Sequence, residues 1–129
     1  MSGGIAPPGQ KRRRAAEKRG RWAEVLAELA LRLKGYRILE RRYRTRLGEI
    51  DLIAKRGEII AFVEVKARID RRTAIDSVPA ATQHRIRAAS DLWIGRMLGQ
   101  RRSIAHCSYR YDIVAVEPRR WPVHFPDAF

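Results

Sequence analysis

Glu49-Ile50-Asp51-Leu52-Ile53-Ala54-Lys55-Arg56-Gly57-Glu58-Ile59-Ile60-Ala61-Phe62-Val63-Glu64-Val65-Lys66 is the stretch from which the architecture follows. Two apolar, β-branched runs flank Lys55-Arg56-Gly57-Glu58, and Gly57 supplies the positive φ that a tight hairpin turn requires. Ile50, Leu52, Val63 and Val65 make one face apolar; Ile53, Ile60 and Phe62 do the same for the other. Strands apolar on both faces belong in the interior of a sheet covered on both sides.

The segments around the hairpin supply the cover. From Ala16 to Lys34, Ala23, Leu26, Ala27, Ala30 and Leu33 recur at helical spacing, and Gly35 stands where a left-handed residue closes a helix. Tyr36 to Tyr43 reads as an exposed strand, with Ile38 and Leu39 among arginines. After a polar loop from Arg68 to Asp76, Ser77 suits an N-cap and Pro79 the first turn. Ile86, Ala89, Trp93 and Met97 then mark one face of a second helix ending near Gly99. Ser108 to Glu117 carries Ile113-Val114-Ala115-Val116, a buried strand stopped by Pro118. Trp22 and Trp93 fit helix faces directed at the core. Trp121, Phe125 and Phe129 in the tail are expected to pack back on the body. The fold class is therefore α/β, a central mixed sheet flanked by helices in the order αβββαβ. Residues 1–15, rich in Gly, Pro and Arg, read as a flexible basic arm, and residues 16–129 as a single domain.

Three ionisable residues interrupt strands that otherwise call for burial: Asp51, Glu64 and Lys66. Positions 64 and 66 are two apart and share a face. With the turn centred between Arg56 and Gly57, Asp51 lies opposite Phe62 and Glu49 opposite Glu64, all on the face that carries Lys66. Carboxylates crowded together repel unless a cation sits between them. Mg²⁺ or Mn²⁺ takes a few carboxylate oxygens and keeps water, which can serve as a nucleophile. Lys66 could place that water or offset charge on a phosphoryl group. The plain alternative is a salt bridge on a strand, since charges two apart are common on sheets.

Charge points to the partner. Lys and Arg number 28 against 14 Asp and Glu, a formal net charge of +14. Such a surface gains free energy by releasing counterions from a polyphosphate, so nucleic acid is the expected partner. Arg41, Arg42, Arg44, Arg46, Arg68 and Gln83 are the candidate backbone contacts. A solvated edge strand guarded by charge would use the four arginines of positions 41–46 equally well. A single cysteine, Cys107, excludes an internal disulfide and a thiolate zinc cluster, and His84, His106 and His124 lack ligand spacing. No transmembrane segment or secretion signal is visible, so a cytoplasmic, non-membrane protein is expected. Oligomeric state is left open, a homodimer included.

Gly48-Glu49-Ile50-Asp51-Leu52-Ile53-Ala54 and Phe62-Val63-Glu64-Val65-Lys66-Ala67-Arg68 resemble the signature of the YraN-like family of uncharacterised bacterial proteins. The likeness extends to Gly35-Tyr36-Arg37-Ile38-Leu39-Glu40, Gln83-His84, Tyr109-Arg110-Tyr111-Asp112-Ile113-Val114-Ala115 and the closing Asp127-Ala128-Phe129. That family is similar to a minimal restriction-endonuclease-like fold of the PD-(D/E)xK superfamily. The resemblance implies Asp51, Glu64 and Lys66 as catalytic residues of a Mg²⁺-dependent endonuclease of the DNA repair or recombination type. It thereby places DNA ahead of RNA as the partner. It also implies Asp51 and Glu64 as metal ligands, with Glu24 on the first helix and Glu49 as candidate additions. A non-catalytic nucleic-acid-binding module on a nuclease scaffold is the alternative. The chain departs from the family pattern at Thr82, where a lysine usually precedes the Gln-His step, and in the loop after Arg68, which lacks the usual glycine.

Overall fold

The computed structural model describes residues 8–67, 78–100 and 104–129. Its elements are α1 (Pro8–Leu33), β1 (Arg37–Arg44), β2 (Glu49–Arg56), β3 (Ile59–Ala67), α2 (Ala80–Gly99), β4 (Ser108–Val116) and β5 (Val123–Phe125). Helix α1 begins well before the expected Ala16. Proline at the first helical position forfeits no hydrogen bond, and the Lys, Arg and Ala residues that follow favour helix. Residues 8–15, expected in the arm, are thus the first turns of α1, while residues 1–7 lie outside the described residues. At its other end, Gly35 takes φ +92° and Tyr36 N–H donates to the Leu31 carbonyl, the Schellman closure that glycine permits.

The strands form one mixed sheet in the order β1-β2-β3-β4-β5. Only β3 and β4 run parallel, and that step needs a crossover, which α2 supplies. The described elements run helix, three strands, helix and two strands, and β5 was not expected. Three residues at the edge, Val123–Phe125, carry too little periodicity to announce a strand.

Each helix covers one face of the sheet. Ala23, Ala27, Leu31 and Tyr36 meet Leu52, Ala54, Ala61, Val63, Val114 and Val116. On the opposite face Ile86, Ala89, Trp93 and Met97 meet Ile50, Ile53, Ile60, Phe62 and Ile113. Alanines on both α1 and the sheet let helix and strands approach closely. Each large side chain so buried contributes ~1.5–3 kcal/mol. Two expected core residues face water instead: Leu33 is 71% exposed and Trp22 48%. The buried stripe of α1 runs through Ala27, Ala30 and Leu31, which turns both away. Trp121 is likewise exposed, whereas Phe129 stacks on Tyr111 and Phe125 joins the core. Among the described residues no helix is long and apolar enough to cross a membrane.

The hairpin register differs from the expected one. Arg56 pairs with Ile59 and Leu52 with Val63, so the turn is the two residues Gly57 and Glu58, with Gly57 at φ +60°. Glycine at the first central position suits a type II′ turn, whose twist matches that of the strands. Phe62 therefore faces Ile53 rather than Asp51. The displacement is two residues, which alone preserves the faces and carries Asp51 toward Glu64. Ile50, however, expected on the face of Leu52, packs on the α2 side while Leu52 packs under α1.

The β1–β2 turn is seated directly on α2. Thr45 holds it, its hydroxyl accepting from the Leu47 and Gly48 N–H groups and donating to the Gly48 carbonyl. A Cβ on Gly48 would lie 2.2 Å from the Arg85 carbonyl oxygen, so only glycine fits. Gly48→Ala should cost about 2 kcal/mol or more, because the obstacle is helix backbone and cannot swing aside. A urea midpoint within experimental error of wild type would refute that close approach.

At the far side of the sheet, Asp112 is wholly buried. Arg110 donates to both of its oxygens (2.8 and 2.7 Å), the Asp127 N–H to one (3.0 Å), and His124 Nε2 contacts it at 2.7 Å. Lys34 Nζ lies 3.1 Å from His124 Nδ1. An ammonium can only donate, so Nδ1 accepts and the Nε2 proton points at Asp112. Burial alone would raise the Asp112 carboxyl, but the hydrogen bonds from His124, Arg110 and Asp127 outweigh it and hold it at about 2.

Candidate functional site

Strands β2 and β3 part company at Asp51. Their ladder ends at Leu52–Val63, and beyond it the Val65 N–H donates to Asp51 Oδ2 at 2.8 Å instead of to a strand carbonyl. The pleat slips here as well: Ile50 and Ile53, three apart, both reach the α2 side. A side chain that replaces a ladder partner is held by backbone, and its position is fixed more tightly than a free rotamer would be.

Asp51 and Glu64 thus lie close together, and the charge on Glu64 acts directly on Asp51. Burial, then the Glu64 charge, pushes the Asp51 carboxyl up to about 7, against the smaller opposing pull of the Val65 N–H. Burial also raises Glu64, partly offset by Lys66, whose Nζ lies 3.4 Å from Glu64 Oε1. The Lys66–Glu64 pair is not sealed: the side chains retain 28% and 14% of their exposure. Both acids line a cavity of about 530 Å³ with Thr45, Arg46, Leu47, Gly48, Glu49, Thr82, Arg85 and Ile86.

The remaining candidates are distributed around this centre. Glu49 lines the same cavity at its lip and pairs with Arg44 at 3.3 Å. Glu24 sits on the α1 side, bound to Arg42 at 2.7 Å, in a neighbouring hollow of about 370 Å³ that Glu49 also lines. Arg41 is engaged with Glu28. Arg46 faces the cavity. Gln83 donates its side-chain amide to the Val78 carbonyl, 3.0 Å away, and so fastens the start of α2. Arg68 lies outside the described residues.

Thr82, noted from the sequence as a departure beside the expected cleft, does line the cavity; Arg85 was not picked out, yet the spacing of the two carries the signal. They are three apart on α2, beside the buried stripe Ile86, Ala89 and Trp93, so they border the core on one helix edge.

The donor set can be judged for a cation. All the acids near the centre offer oxygen, which suits Mg²⁺ or Mn²⁺ and not the softer metals. Among the described residues no three His, Cys, Asp or Glu side chains converge on one point. Two converging carboxylates remain, and Mg²⁺ is commonly held by one or two carboxylates with water completing its shell. Two partly buried acids, both raised first by burial, fit such an ion, since its charge would offset the cost of ionising them there.

Fold and site together define an α/β protein with a mixed five-stranded sheet between two helices and a paired-carboxylate cavity where two strands diverge. The model of "Uncharacterised protein family UPF0102" matches residues 23–116, and the chain belongs to that family, the YraN-like family whose motifs it carries. A UPF0102 protein of Rhizobium etli is 58% identical over 117 residues, covering 91% of this chain and 93% of that one. Another, from Agrobacterium fabrum, is 57% identical over 126 residues, or 97% of this chain and all of its own length. A third, from Rhizobium meliloti, is 58% identical over 118 residues, covering 92% and 93%.

Proposed function

We propose that the protein binds nucleic acid and hydrolyses phosphodiesters with a divalent cation held by Asp51 and Glu64, on a restriction-endonuclease-like core. The observation that carries the reading is the pair of acids, one from β2 and one from β3, lining a single open cavity. When bound, the cation would supply Lewis acidity toward the phosphodiester and its attacking water. Asp51, fixed by the Val65 N–H, orients the ligand oxygens. Lys66 favours the ionised form of Glu64 against the effect of burial and sets a positive charge where the phosphoryl group gains negative charge. The net charge of +14 draws the polyanion to the cavity. Glu49, at the lip, is the acid placed to join the set.

The test is incubation of the pure chain with single-stranded, double-stranded and branched substrates of DNA and of RNA, with and without Mg²⁺ or Mn²⁺. Metal-stimulated nicking is expected. No stimulated cleavage on any of them, in DNA or RNA, would overturn the reading.

One observation favours a second reading, a binding module that does not cut: among the described residues only two acids converge, and one of them is already paired with Lys66. On that reading Asp51→Asn and Glu64→Gln bind nucleic acid more tightly, because negative charge leaves the groove, and no variant cleaves.

A further inference from the structure

The acids on the cavity floor have a cationic counterpart at its rim. Arg46 comes from the β1–β2 turn and Arg85 from α2, two elements remote in sequence. The Gly48 contact with the Arg85 backbone locks turn and helix together, so the bases of both arginine side chains are fixed on one rim. Their neighbours on the sheet are committed elsewhere: Arg41, Arg42 and Arg44 each hold a glutamate. Neither Arg46 nor Arg85 has a carboxylate within 4.0 Å among the described residues. Two arginines held over one opening, with acids below, form a site that accepts an anion at the top and a cation beneath. Guanidinium groups match phosphate oxygens in geometry as well as charge.

We infer that Arg46 and Arg85 form a phosphate clamp across the cavity mouth, gripping the backbone of the bound strand so that an adjacent phosphodiester faces Asp51 and Glu64. This rests on the proposed function for its orientation toward the acids, but the clamp is a binding claim and can be tested without cleavage. Thr82, beside Arg85 on the rim, offers a hydroxyl to the same phosphate.

The experiment measures binding of a short fluorescent single-stranded DNA oligonucleotide to the Asp51→Asn chain between about 50 and 300 mM salt. Arg85→Ala and Arg46→Ala, each added to that background, should weaken binding about 5- to 10-fold and flatten the slope of log affinity against log salt by about 0.7 for each arginine removed. Arg85→Lys should keep the slope and recover part of the affinity. Lys55→Ala, at the opposite end of β2, serves as the reference for diffuse attraction and should leave the slope unchanged. An unchanged slope in both arginine variants overturns the clamp, as does an equal weakening in Lys55→Ala. A chain that binds through these arginines and never cuts refutes hydrolysis alone. One that cuts with the slope unmoved refutes the clamp alone.

Discussion

Replacing Asp51 with asparagine should lower metal-stimulated phosphodiester cleavage at least about 10³-fold, and at the same time make the metal-free fold more stable at pH 8. The two effects share one cause. Asp51 is placed beside Glu64 in a half-buried setting, and the cost of ionising it there lifts its carboxyl to about 7. In the unfolded chain the same group titrates near 3.8. The folded state therefore holds an extra proton between those values. Its stability contribution is present below about pH 4 and is lost as pH rises through about 7. Asparagine carries no charge to desolvate, and its amide oxygen can still accept the Val65 N–H. The variant should gain on the order of 2 kcal/mol over wild type at pH 8, with the difference shrinking toward pH 4. Denaturation midpoints of both chains across that range, without metal, give the comparison. A variant less stable than wild type at pH 8 would mean that the acids are not crowded. Glu64→Gln should lose cleavage equally, while Lys66→Ala should leave folding intact and depress the rate.

The second large effect lies away from the cavity. Asp112→Ala should cost about 3–5 kcal/mol, much of the 5–15 kcal/mol that holds a typical domain together. Removing the carboxylate strands Arg110, whose side chain is 17% exposed, and His124, at 3%, without their acceptor. It also frees the Asp127 N–H and with it the segment that follows β5. Because the Asp112 carboxyl is held at about 2, its contribution is complete above about pH 4 and disappears as pH falls through about 2. Urea midpoints of wild type and variant at pH 7, with an acid titration of wild type, provide the check. An Asp112→Ala chain as stable as wild type would show that the network is decoration.

The double-sided apolar pattern of β2 and β3 made the buried hairpin legible, and 3.6-residue spacing marked α2. Asp51, Glu64 and Lys66 stood out because charges in such strands need a reason. The register was not legible to the same degree. Whether a turn centres before or after Gly57 depends on the turn type, and both choices keep all side chains on the same faces. The pairing of Asp51 with Glu64 also depends on the slip of β2, a tertiary feature without a local signal. Glu24 was found in the right neighbourhood, yet Arg42 holds it on the α1 side. Asp112 was read only as part of a strand motif: Arg110, two residues away on the same strand, was legible as a partner, but His124 and Asp127 become neighbours only when β5 docks. Arginine counts likewise could not separate the paired Arg41, Arg42 and Arg44 from Arg46 and Arg85 at the rim.

Calorimetric titration of Mg²⁺ or Mn²⁺ into wild type and Asp51→Asn at pH 7 tests the paired-acid cation site most directly. Saturable binding to wild type, with proton release as Asp51 ionises, is expected, along with at least about 10-fold weaker binding to Asp51→Asn. Equal affinity in the two chains, or no binding to either, would contradict the account.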